Sequence, residues 1–467
     1  MLGPAFVGWF GMTRGLWRAC SLAMGLLVFC APLFGQLTAE QDRARLLGLL
    51  GLKESEMRPR PDGDPKSPHA TNYDLAKANL YPKLPDPLVF KDGRKVKSAA
   101  EWARRAREIR SDFNKEILGR TPASLPTVKW RIVSTKNEKY GGVDVVTKRL
   151  VGDAGSAAGS GSPLHIDLLL TTPARAKGPV PVIMELAFAK DFEMATNGPL
   201  DSYAPSPWGV DGKLAVQRGW GFAILNPVSF QKDDGSGLTS GIIGLMNHGR
   251  PRGVEEWGAL KAWAWGAHEA LLYFERDKAV DAKQVGLAGH SRFGKTVLVA
   301  MAYYPEFAIA YSSSSGEGGA KLYRHIYGET IPNLCGPSLY HWFAGEFLRY
   351  AGPLNPGDLP VDNHELIALS APRPLFITGG SDAGDGYANP NGDAWADPHG
   401  MFLAEVAAGP VYRLLGVKDL GTAEFPKMGT AVMSGALGFR QHDGGHLAEP
   451  NWPYFLEFAS RYLHANK

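Results

Sequence analysis

The chain has 467 residues, of which 44% are hydrophobic and 21% charged, and its formal net charge is +3. This globular composition allows one large buried core or two moderate ones. A nearly neutral chain without a basic run gives no reason to expect a nucleic-acid partner, and no cysteine cluster of the metal-binding type occurs.

The first 36 residues predict a secretory signal. Two arginines precede a short apolar stretch over residues 21–34, and polar sequence follows from Gln36. The apolar stretch is too short, and too interrupted by a proline, for a comfortable membrane span. We expect cleavage between Ala31 and Ala39, and hence a secreted or periplasmic protein that has left the membrane. An uncleaved anchor is the alternative interpretation.

Cysteine usage agrees with a single exported domain. Cys20 and Cys30 lie in the signal, so Cys335 is the one thiol of the expected mature chain. A lone thiol forms no internal disulfide, and stability must then come from core burial. Residues 37–467 carry no repeat and no hinge-like linker, so we expect one catalytic domain with an extended N-terminal segment. We expect it to be a monomer.

The first third of this domain predicts surface segments and a sheet edge. Residues 37–100 are polar and rich in proline and lysine, as in a tail wrapped over the surface with few buried positions. Residues 99–118 place apolar side chains at helical spacing, which predicts an amphipathic helix. Two β-branched runs, 128–151 and 164–172, predict antiparallel strands at a sheet edge.

From residue 179 onward, predicted strands alternate with predicted helices. This rhythm is typical of an α/β fold, here a mostly parallel central sheet with helices on both faces in a three-layer sandwich. The predicted strands are 179–188, 221–227, 285–289, 307–312, 374–378 and 411–416, and the clearest predicted helices are 255–275 and 453–464.

Residues 289–295 (GHSRFGK) join the strand 285–289 to a helix-like run. A strand, a tight turn around a serine and a helix form the nucleophile elbow of α/β-hydrolases, with Ser291 as the nucleophile. The second glycine of the usual pattern comes one residue late, at Gly294, which puts Arg292 and Lys295 beside the serine. The amide of Arg292 would face the oxyanion. As an alternative, Ser291 merely caps the following helix.

A histidine base is expected late in the chain, because α/β-hydrolases place their triad in the order serine, acid, base. His446 follows two glycines in a loop before the last predicted helix. His442 is a nearby competitor, or a surface residue. The two histidines have no third partner with metal-ligand spacing, so we expect no metal and no cofactor.

The acid is harder to place. It is expected after the strand 374–378, where residues 379–400 form a long loop with four aspartates, Asp382, Asp385, Asp393 and Asp397. Position in the chain favours Asp382. Most aspartates in a loop of this composition form turns, so the residues alone leave the choice open.

The segment 289–295 resembles the signature of the glucuronoyl esterases, carbohydrate esterase family 15. Other segments downstream of residue 179 resemble further stretches of that family, so the similarity does not rest on one motif. These segments are 257–259 (WGA), 262–266 (AWAWG), 328–330 (GET), 342–343 (WF), 359–364 (LPVDNH), 371–374 (APRP) and 393–398 (DAWADP).

The resemblance implies an activity and assigns roles. Members of the family hydrolyse esters between the carboxyl of (4-O-methyl-)glucuronic acid on xylan and the alcohols of lignin. It implies that Ser291 is the nucleophile, that His446 is the base and that Arg292 stabilises the oxyanion with its side chain as well as its amide. It also implies that Lys295 binds sugar hydroxyls or the 4-O-methyl region, and that Glu329 and Trp395 hold the glucuronoyl ring, which agrees with the chemistry of these side chains.

One position departs from the family. Many members carry the triad acid in a segment that corresponds here to residues 312–319, where the acid position holds Ser314. Glu317 lies three residues later, and other members use an aspartate that corresponds to Asp393. We therefore predict Asp393 as the acid, with Asp382 and Glu317 as alternatives.

Simpler interpretations exist for the substrate-binding residues. Trp395 could cover the edge of the core, and Lys295 could be a solvated surface lysine. Glu329 could pair with Arg324 or cap a following helix. At the level of function, the alternatives are an acetyl-xylan or other carbohydrate esterase and a non-catalytic glucuronoxylan-binding protein.

Overall fold

The computed structural model describes residues 37–156, 163–382 and 392–465. The predicted signal over residues 1–36, Asp385 and most of the loop 379–392 lie outside the described residues. No helix in these three ranges is long and apolar enough to cross a membrane.

A single sheet of ten strands runs through the part of the chain that the structure describes. Its order is β1-β2-β3-β5-β4-β6-β7-β8-β10-β9. The strands are β1 (Lys129–Tyr140), β2 (Val143–Asp153), β3 (His165–Pro173), β4 (Val180–Leu186), β5 (Gly221–Asn226), β6 (Val280–His290), β7 (Ile309–Ser313), β8 (Leu375–Gly379), β9 (Ala431–Val432) and β10 (Leu437–Gln441).

The helices fall mostly between these strands. In chain order they are α1 (Ala39–Leu49), α2 (Ala99–Asp112), α3 (Ala189–Thr196), α4 (Lys213–Val216), α5 (Gly241–Met246), α6 (Ala259–Phe274), α7 (Arg292–Tyr303), α8 (Ile331–Leu334), α9 (Asn363–Ala368), α10 (Pro398–Leu414) and α11 (Trp452–Ala459).

The sheet separates two hydrophobic clusters, because successive side chains of a strand point to opposite faces. In β4, Val182 and Met184 pack in one cluster and Ile183 in the other. Helices α6, α7, α9 and α10 cover the first face, and α3, α4 and α11 cover the second. The predicted three-layer α/β fold is therefore confirmed.

The six central strands, β5, β4, β6, β7, β8 and β10, pair in parallel. The first three strands are antiparallel to their neighbours, as predicted from their β-branched runs. Parallel strands bring their carboxyl ends to the same edge of the sheet, and in open α/β sheets ligands bind outside that edge.

The N-terminal segment is more ordered than its composition suggests. Helix α1 begins with a capping box at Thr38 and buries Leu46 and Leu47 in the core, so the prediction of a surface tail was wrong over this stretch. The amphipathic helix predicted over 99–118 is α2, which continues as a π-helical turn over Phe113–Ile117.

The strand predicted over residues 411–416 was also wrong. Most of this segment is the end of α10, which continues through Pro410 to Leu414. Its Gly409-Pro410 pair looks like a break, but Ala408, Val411 and Tyr412 are buried at helical spacing against the sheet. Tertiary burial thus overrides the local signal, and the strand that precedes His446 is β10 instead.

Candidate active site

Ser291 occupies a strained turn between β6 and α7. Its backbone has a φ of 56° and a ψ of −123°, a conformation that residues other than glycine rarely adopt. The Ser291 amide donates to Ser313 O at 2.8 Å. Within the described residues its side chain makes no capping hydrogen bond to α7. The interpretation of Ser291 as a helix cap is therefore wrong, and the turn has the form of a nucleophile elbow.

The late glycine of the elbow has a steric reason. A Cβ at Gly294 would lie 2.9 Å from Ser313 O and 3.1 Å from Ser315 Cβ. Helix α7 therefore approaches the end of β7 so closely that a side chain here would force the two apart. In the usual elbow pattern the second glycine stands two residues after the serine. Here that position holds Phe293, whose ring contacts Phe188 at a centroid distance of 5.0 Å.

Asp393 is the carboxylate that meets the proposed base. His446 Nδ1 lies 2.7 Å from Asp393 Oδ1, and Asp393 is fully buried. An ionised carboxylate can only accept, so Nδ1 donates and Nε2 is left to accept a proton. The other carboxylate oxygen accepts from Ser314 Oγ at 2.6 Å and from the Gly380 amide at 2.9 Å. The structure thus brings together His446 and the predicted acid.

The competing residues lie in other networks. Glu317 is buried against Lys321, with 2.5 Å between Oε2 and Nζ, and burial raises its pKa to about 8. The charge of Asp382 acts on His399 and Tyr327. His442 is buried, where its Nδ1 accepts from Asn451 at 2.8 Å and its Nε2 lies 3.1 Å from Gly445 O.

A cavity of about 480 Å³ opens above the elbow. It has a polar side with cations and an apolar side, and it brings together all the predicted site residues except the acid. Its lining residues are Phe188, Pro207, Trp208, His290, Ser291, Arg292, Lys295, Glu329, Leu339, Trp342, Gly392, Trp395, His446 and Leu447.

Lys295 and Glu329 form a buried ion pair on the polar side. Lys295 Nζ donates to Ser315 O at 2.6 Å and lies 3.4 Å from Glu329 Oε2. Burial lowers the pKa of Lys295, and the nearby Glu329 carboxylate opposes this shift. The interpretation of Lys295 as a solvated surface residue was wrong, and Arg324 pairs with Asp362 and not with Glu329.

Arg292 is held beside the nucleophile by Asp233. Its guanidinium donates to Asp233 and lies 5.3 Å from the centroid of the Trp342 ring. Asp233 also accepts from Trp342 Nε1 at 2.6 Å and lies 2.9 Å from His341 Nε2. Burial alone would raise the pKa of Asp233, but the hydrogen bond from His341 and the charge of Arg292 hold it below its usual range.

His290 provides an uncharged neighbour for the proposed base. Its ring lies 4.3 Å from the ring of His446, centroid to centroid. Burial, reinforced by the nearby His446, lowers its pKa well below the usual range, so His290 remains neutral. A neutral ring at this position does not repel an imidazolium on His446.

Sequence reasoning missed three features of this site. Asp233 lies in the loop after β5, and its position after a parallel strand was the only signal that could have found it. The hydrogen bond from Ser314 to Asp393 joins residues 79 positions apart and leaves no local pattern. The apolar side of the cavity comes from Phe188, Pro207 and Trp208, which lie far from the elbow in the chain.

Known proteins share this chain's sequence and structure over most of its length. A solved structure described as a glucuronoyl esterase of carbohydrate esterase family 15 from Teredinibacter turnerae is 39% identical, with a TM-score of 0.82 over 91% of this chain and 99% of the other. A protein of an unknown prokaryotic organism named carbohydrate esterase MZ0003 is 32% identical over 86% of this chain and 95% of its own length. The chain belongs to carbohydrate esterase family 15.

Membership of carbohydrate esterase family 15 confirms the resemblance seen in the motifs. A profile described as "Glucuronyl esterase, fungi" matches residues 252–416, which include the elbow, Glu329 and Asp393. A structure described as a glucuronoyl esterase from Solibacter usitatus is 31% identical, with a TM-score of 0.71 over 83% of this chain and 99% of the other.

Proposed function

We propose that the protein hydrolyses the ester between (4-O-methyl-)glucuronic acid of glucuronoxylan and an alcohol of lignin. The observation that carries this proposal is that Ser291 of the elbow, His446 of the Asp393–His446 pair and the buried Lys295 line one cavity. The relatives from Teredinibacter turnerae and Solibacter usitatus support it through the activity in their descriptions.

In the first half of the reaction, Ser291 Oγ attacks the carbonyl carbon of the uronate ester. His446 Nε2 takes the serine proton, and Asp393 stabilises the imidazolium that forms. The Arg292 amide and guanidinium face the negative charge on the tetrahedral intermediate. His446 then gives its proton to the leaving alcohol as the bond to the acyl carbon breaks.

In the second half, water attacks the glucuronoyl-enzyme with His446 as the base. The proton on His446 returns to Ser291 Oγ when the ester bond to the enzyme breaks, and free glucuronate leaves. The sugar ring lies against Trp395, whose face is apolar and whose indole N–H is polar, and its hydroxyls meet Lys295 and Glu329. The acid group and the hydroxyls thus have separate partners in the cavity.

The Ser291→Ala variant tests the mechanism with the benzyl ester of glucuronic acid as substrate. Without the nucleophile we expect kcat/KM to fall by about 10³ or more, because no acyl-enzyme forms. Circular dichroism provides the control for folding. Full retained activity in a folded variant would refute the serine mechanism.

Substrate preference distinguishes the proposed function from two alternative functions. An acetyl-xylan esterase would cleave acetate esters faster than methyl or benzyl glucuronates, so the two rates are measured side by side on the wild-type protein. A glucuronoxylan-binding protein without activity would cleave neither. The intact Asp393–His446 pair argues against the second of these.

We also propose that the protein is exported and acts as a monomer. The charge and apolar pattern of residues 1–36 supports cleavage, and mass spectrometry of protein secreted by an expressing cell would test it. A mature chain beginning between residues 31 and 39 is expected, whereas an intact N-terminus in the membrane fraction would contradict export.

Light scattering measures the oligomeric state. We expect the mass of a single chain, and the mass of a dimer would contradict the monomer.

A further inference from the structure

The loop over residues 206–210 forms one wall of the cavity above the elbow. Its Pro207 and Trp208 line that cavity, and the Trp208 ring lies 5.5 Å from the ring of Phe188, centroid to centroid. Trp208 is nevertheless 48% exposed, and the loop belongs to no helix or strand of the described chain. An irregular loop that carries an exposed aromatic side chain needs other groups to hold its position.

Asp191, in the first turn of α3, holds the start of this loop. Its Oδ1 accepts a hydrogen bond from the Ser206 amide at 2.8 Å, and its Oδ2 accepts one from Ser206 Oγ at 2.9 Å. Asp191 is buried, and Phe188 lies directly before the first residue of α3. Helix α3 therefore fixes both the start of the loop and the aromatic ring on which Trp208 packs.

Glu185, on β4, holds the end of the loop. Its Oε1 accepts from the Val210 amide at 3.1 Å, while its Oε2 is buried and makes no hydrogen bond within the described residues. Burial, reinforced by the nearby Asp191, raises the pKa of Glu185 well above its usual range, so this carboxyl group holds a proton at neutral pH. A buried polar atom without a partner costs free energy. A carboxyl group placed at this cost in a central strand indicates a role beyond packing, and it binds the loop.

The loop fits closely against the two carboxyl groups at Gly209. A Cβ at this position would lie 3.3 Å from Glu185 Oε1, 3.6 Å from Asp191 Cγ and 3.0 Å from Pro205 Cβ. The backbone of Gly209 therefore lies beside both carboxyl groups, which act on the same short stretch of chain. The two residues of the loop that line the cavity lie between the positions that the carboxyl groups hold.

The alcohol of the substrate is the group expected to meet this wall. In the proposed function, the sugar acid binds at the buried ion pair on the polar side of the cavity. The leaving alcohol must be close to His446, which gives it a proton. The loop 206–210 is joined to the segment after this base, since the Ala448 amide donates to Pro207 O at 3.0 Å. The wall is therefore placed to contact the alcohol.

We infer that Asp191 and Glu185 are positioning residues that hold the loop 206–210 as the wall against which the alcohol of the ester packs, and that they thereby set the preference for large alcohols. This inference rests on the proposed function. Neither residue lines the cavity, so each acts through the loop. A small alcohol such as methanol offers little surface to the wall, whereas an aromatic alcohol packs a ring against it.

Kinetics on two esters of glucuronic acid test the positioning role. The methyl and benzyl esters share the sugar acid, and their alcohols are leaving groups of similar acidity, so they differ mainly in the surface that meets the wall. The wild type should favour the benzyl ester in kcat/KM. For Asp191→Ala and Glu185→Leu we expect this preference to fall about tenfold, with kcat/KM on the methyl ester nearly unchanged.

A milder variant, Ser206→Ala, tests the same contact without altering a buried group. It removes only the hydroxyl bond to Asp191 and keeps the bond from the amide, so it should fold. We expect it to lower the preference for the benzyl ester by about threefold. An unchanged preference in this variant and in Asp191→Ala would overturn the role of Asp191.

Two further variants control for structural effects. Glu185→Gln is neutral, like the protonated carboxyl group, and keeps an oxygen for the Val210 amide, so it should retain the wild-type preference. Glu193→Ala removes an exposed carboxylate from the same helix as Asp191 and should leave the kinetics on both esters unaffected. A wild type without preference for the benzyl ester would overturn the inference. So would an equal loss on both esters, because the loop would then act through His446 or through stability.

Hydrogen–deuterium exchange followed by mass spectrometry keeps the positioning role separate from the esterase activity. The amides of Ser206 and Val210 should exchange slowly in the wild type, because both are bonded to buried carboxyl groups. Asp191→Ala and Glu185→Leu should speed exchange in residues 203–211 by about tenfold or more, with the strands of the sheet unchanged. If the wild type cleaves no uronate ester, the proposed function fails, while this measurement still decides whether the carboxyl groups hold the loop. Unchanged exchange in both variants would refute the inference.

Discussion

Asp393 illustrates how single residues define this site. One of its carboxylate oxygens receives the hydrogen bond of His446, and the other receives those of Ser314 Oγ and the Gly380 amide. Three donors around a buried carboxylate fix its direction. Ser314 therefore does not leave the triad without an acid, because it binds the acid that comes from another loop.

Replacing Asp393 by asparagine tests the acid. We expect kcat to fall by about 10³ to 10⁴, because the amide no longer holds His446 in the right tautomer or stabilises its charge. Steady-state kinetics on a benzyl glucuronate measure the effect. Asp382→Asn is the matched control and should retain nearly full activity. Collapse in Asp382→Asn or Glu317→Gln, with Asp393→Asn active, would contradict the assignment.

We predict that Asp233 acts as a positioning residue, because it contacts Arg292 and does not line the cavity above the elbow. Asp233→Asn should lower kcat by about tenfold to a hundredfold and change KM less, because the guanidinium loses its fixed place beside the oxyanion. A double-mutant cycle with Arg292→Met checks the route: the two effects should not add. Additive losses would show that Asp233 acts by another path.

At the scale of elements, the junction of β6 and α7 carries the steric constraint of the site. The backbone of Ser291 is strained, and α7 must pack against the end of β7 to hold the backbone in this conformation. Such strain persists only where the surrounding packing determines it. Gly294 makes this packing possible, so the residue that departs from the usual elbow pattern is required by the helix position.

Gly294→Ala should therefore destabilise the protein by about 1–3 kcal/mol, as overpacking does in a core. Urea unfolding followed by circular dichroism measures the free energy of unfolding. Gly48→Ala is the control: Gly48 lies within α1 with open space around it, and alanine is the better helix former by up to about 1 kcal/mol. An equal effect of both substitutions would argue against the close approach at Gly294.

At the scale of the whole molecule, the sheet assembles the site and the N-terminal segment contributes to the core. The elbow, Asp393 and His446 follow the carboxyl ends of β6, β8 and β10. The N-terminal segment packs α1 and α2 against the same core that supports α6 and α7. Buried charges in that core make the stability of the entire chain depend on pH.

Lys261 makes the clearest contribution to the pH dependence of stability. Its amine donates to Asn114 Oδ1 and Gly119 O, and burial lowers its pKa to about 7. Between pH 7 and about 10.4 the unfolded chain holds a proton on this amine that the folded chain has lost, so stability rises with pH. This group contributes at most about 1.4 kcal/mol per pH unit.

Urea unfolding of the wild type and of Lys261→Met, at several values between pH 7.5 and 9.5, measures this contribution. The difference in free energy of unfolding between the two proteins should grow in favour of the wild type as pH rises. Comparing slopes removes the titration of other groups. A difference that stays constant over this range would contradict a lowered pKa for Lys261.

Local pattern was sufficient for several features of the chain. The alternation of strands and helices was predictable because a buried parallel strand requires a continuous apolar run. The amphipathic spacing of residues 99–118 predicted α2 correctly. Ser291 was recognisable because the elbow is built from consecutive residues. Local pattern failed at residues 411–416, where Val411 follows the Gly409-Pro410 pair as a new strand would, although all three residues lie in α10.

By itself, the sequence predicted the fold class, the family, and Ser291 and His446 as the candidate nucleophile and base, because these follow from local motifs and from their order along the chain. The tertiary structure alone decided which of several carboxylates meets His446, that Lys295 is buried against Glu329, and that Asp233 holds Arg292. Each of these is a contact between side chains on different loops. Such contacts depend on where the sheet brings the loops, and a linear pattern does not record that.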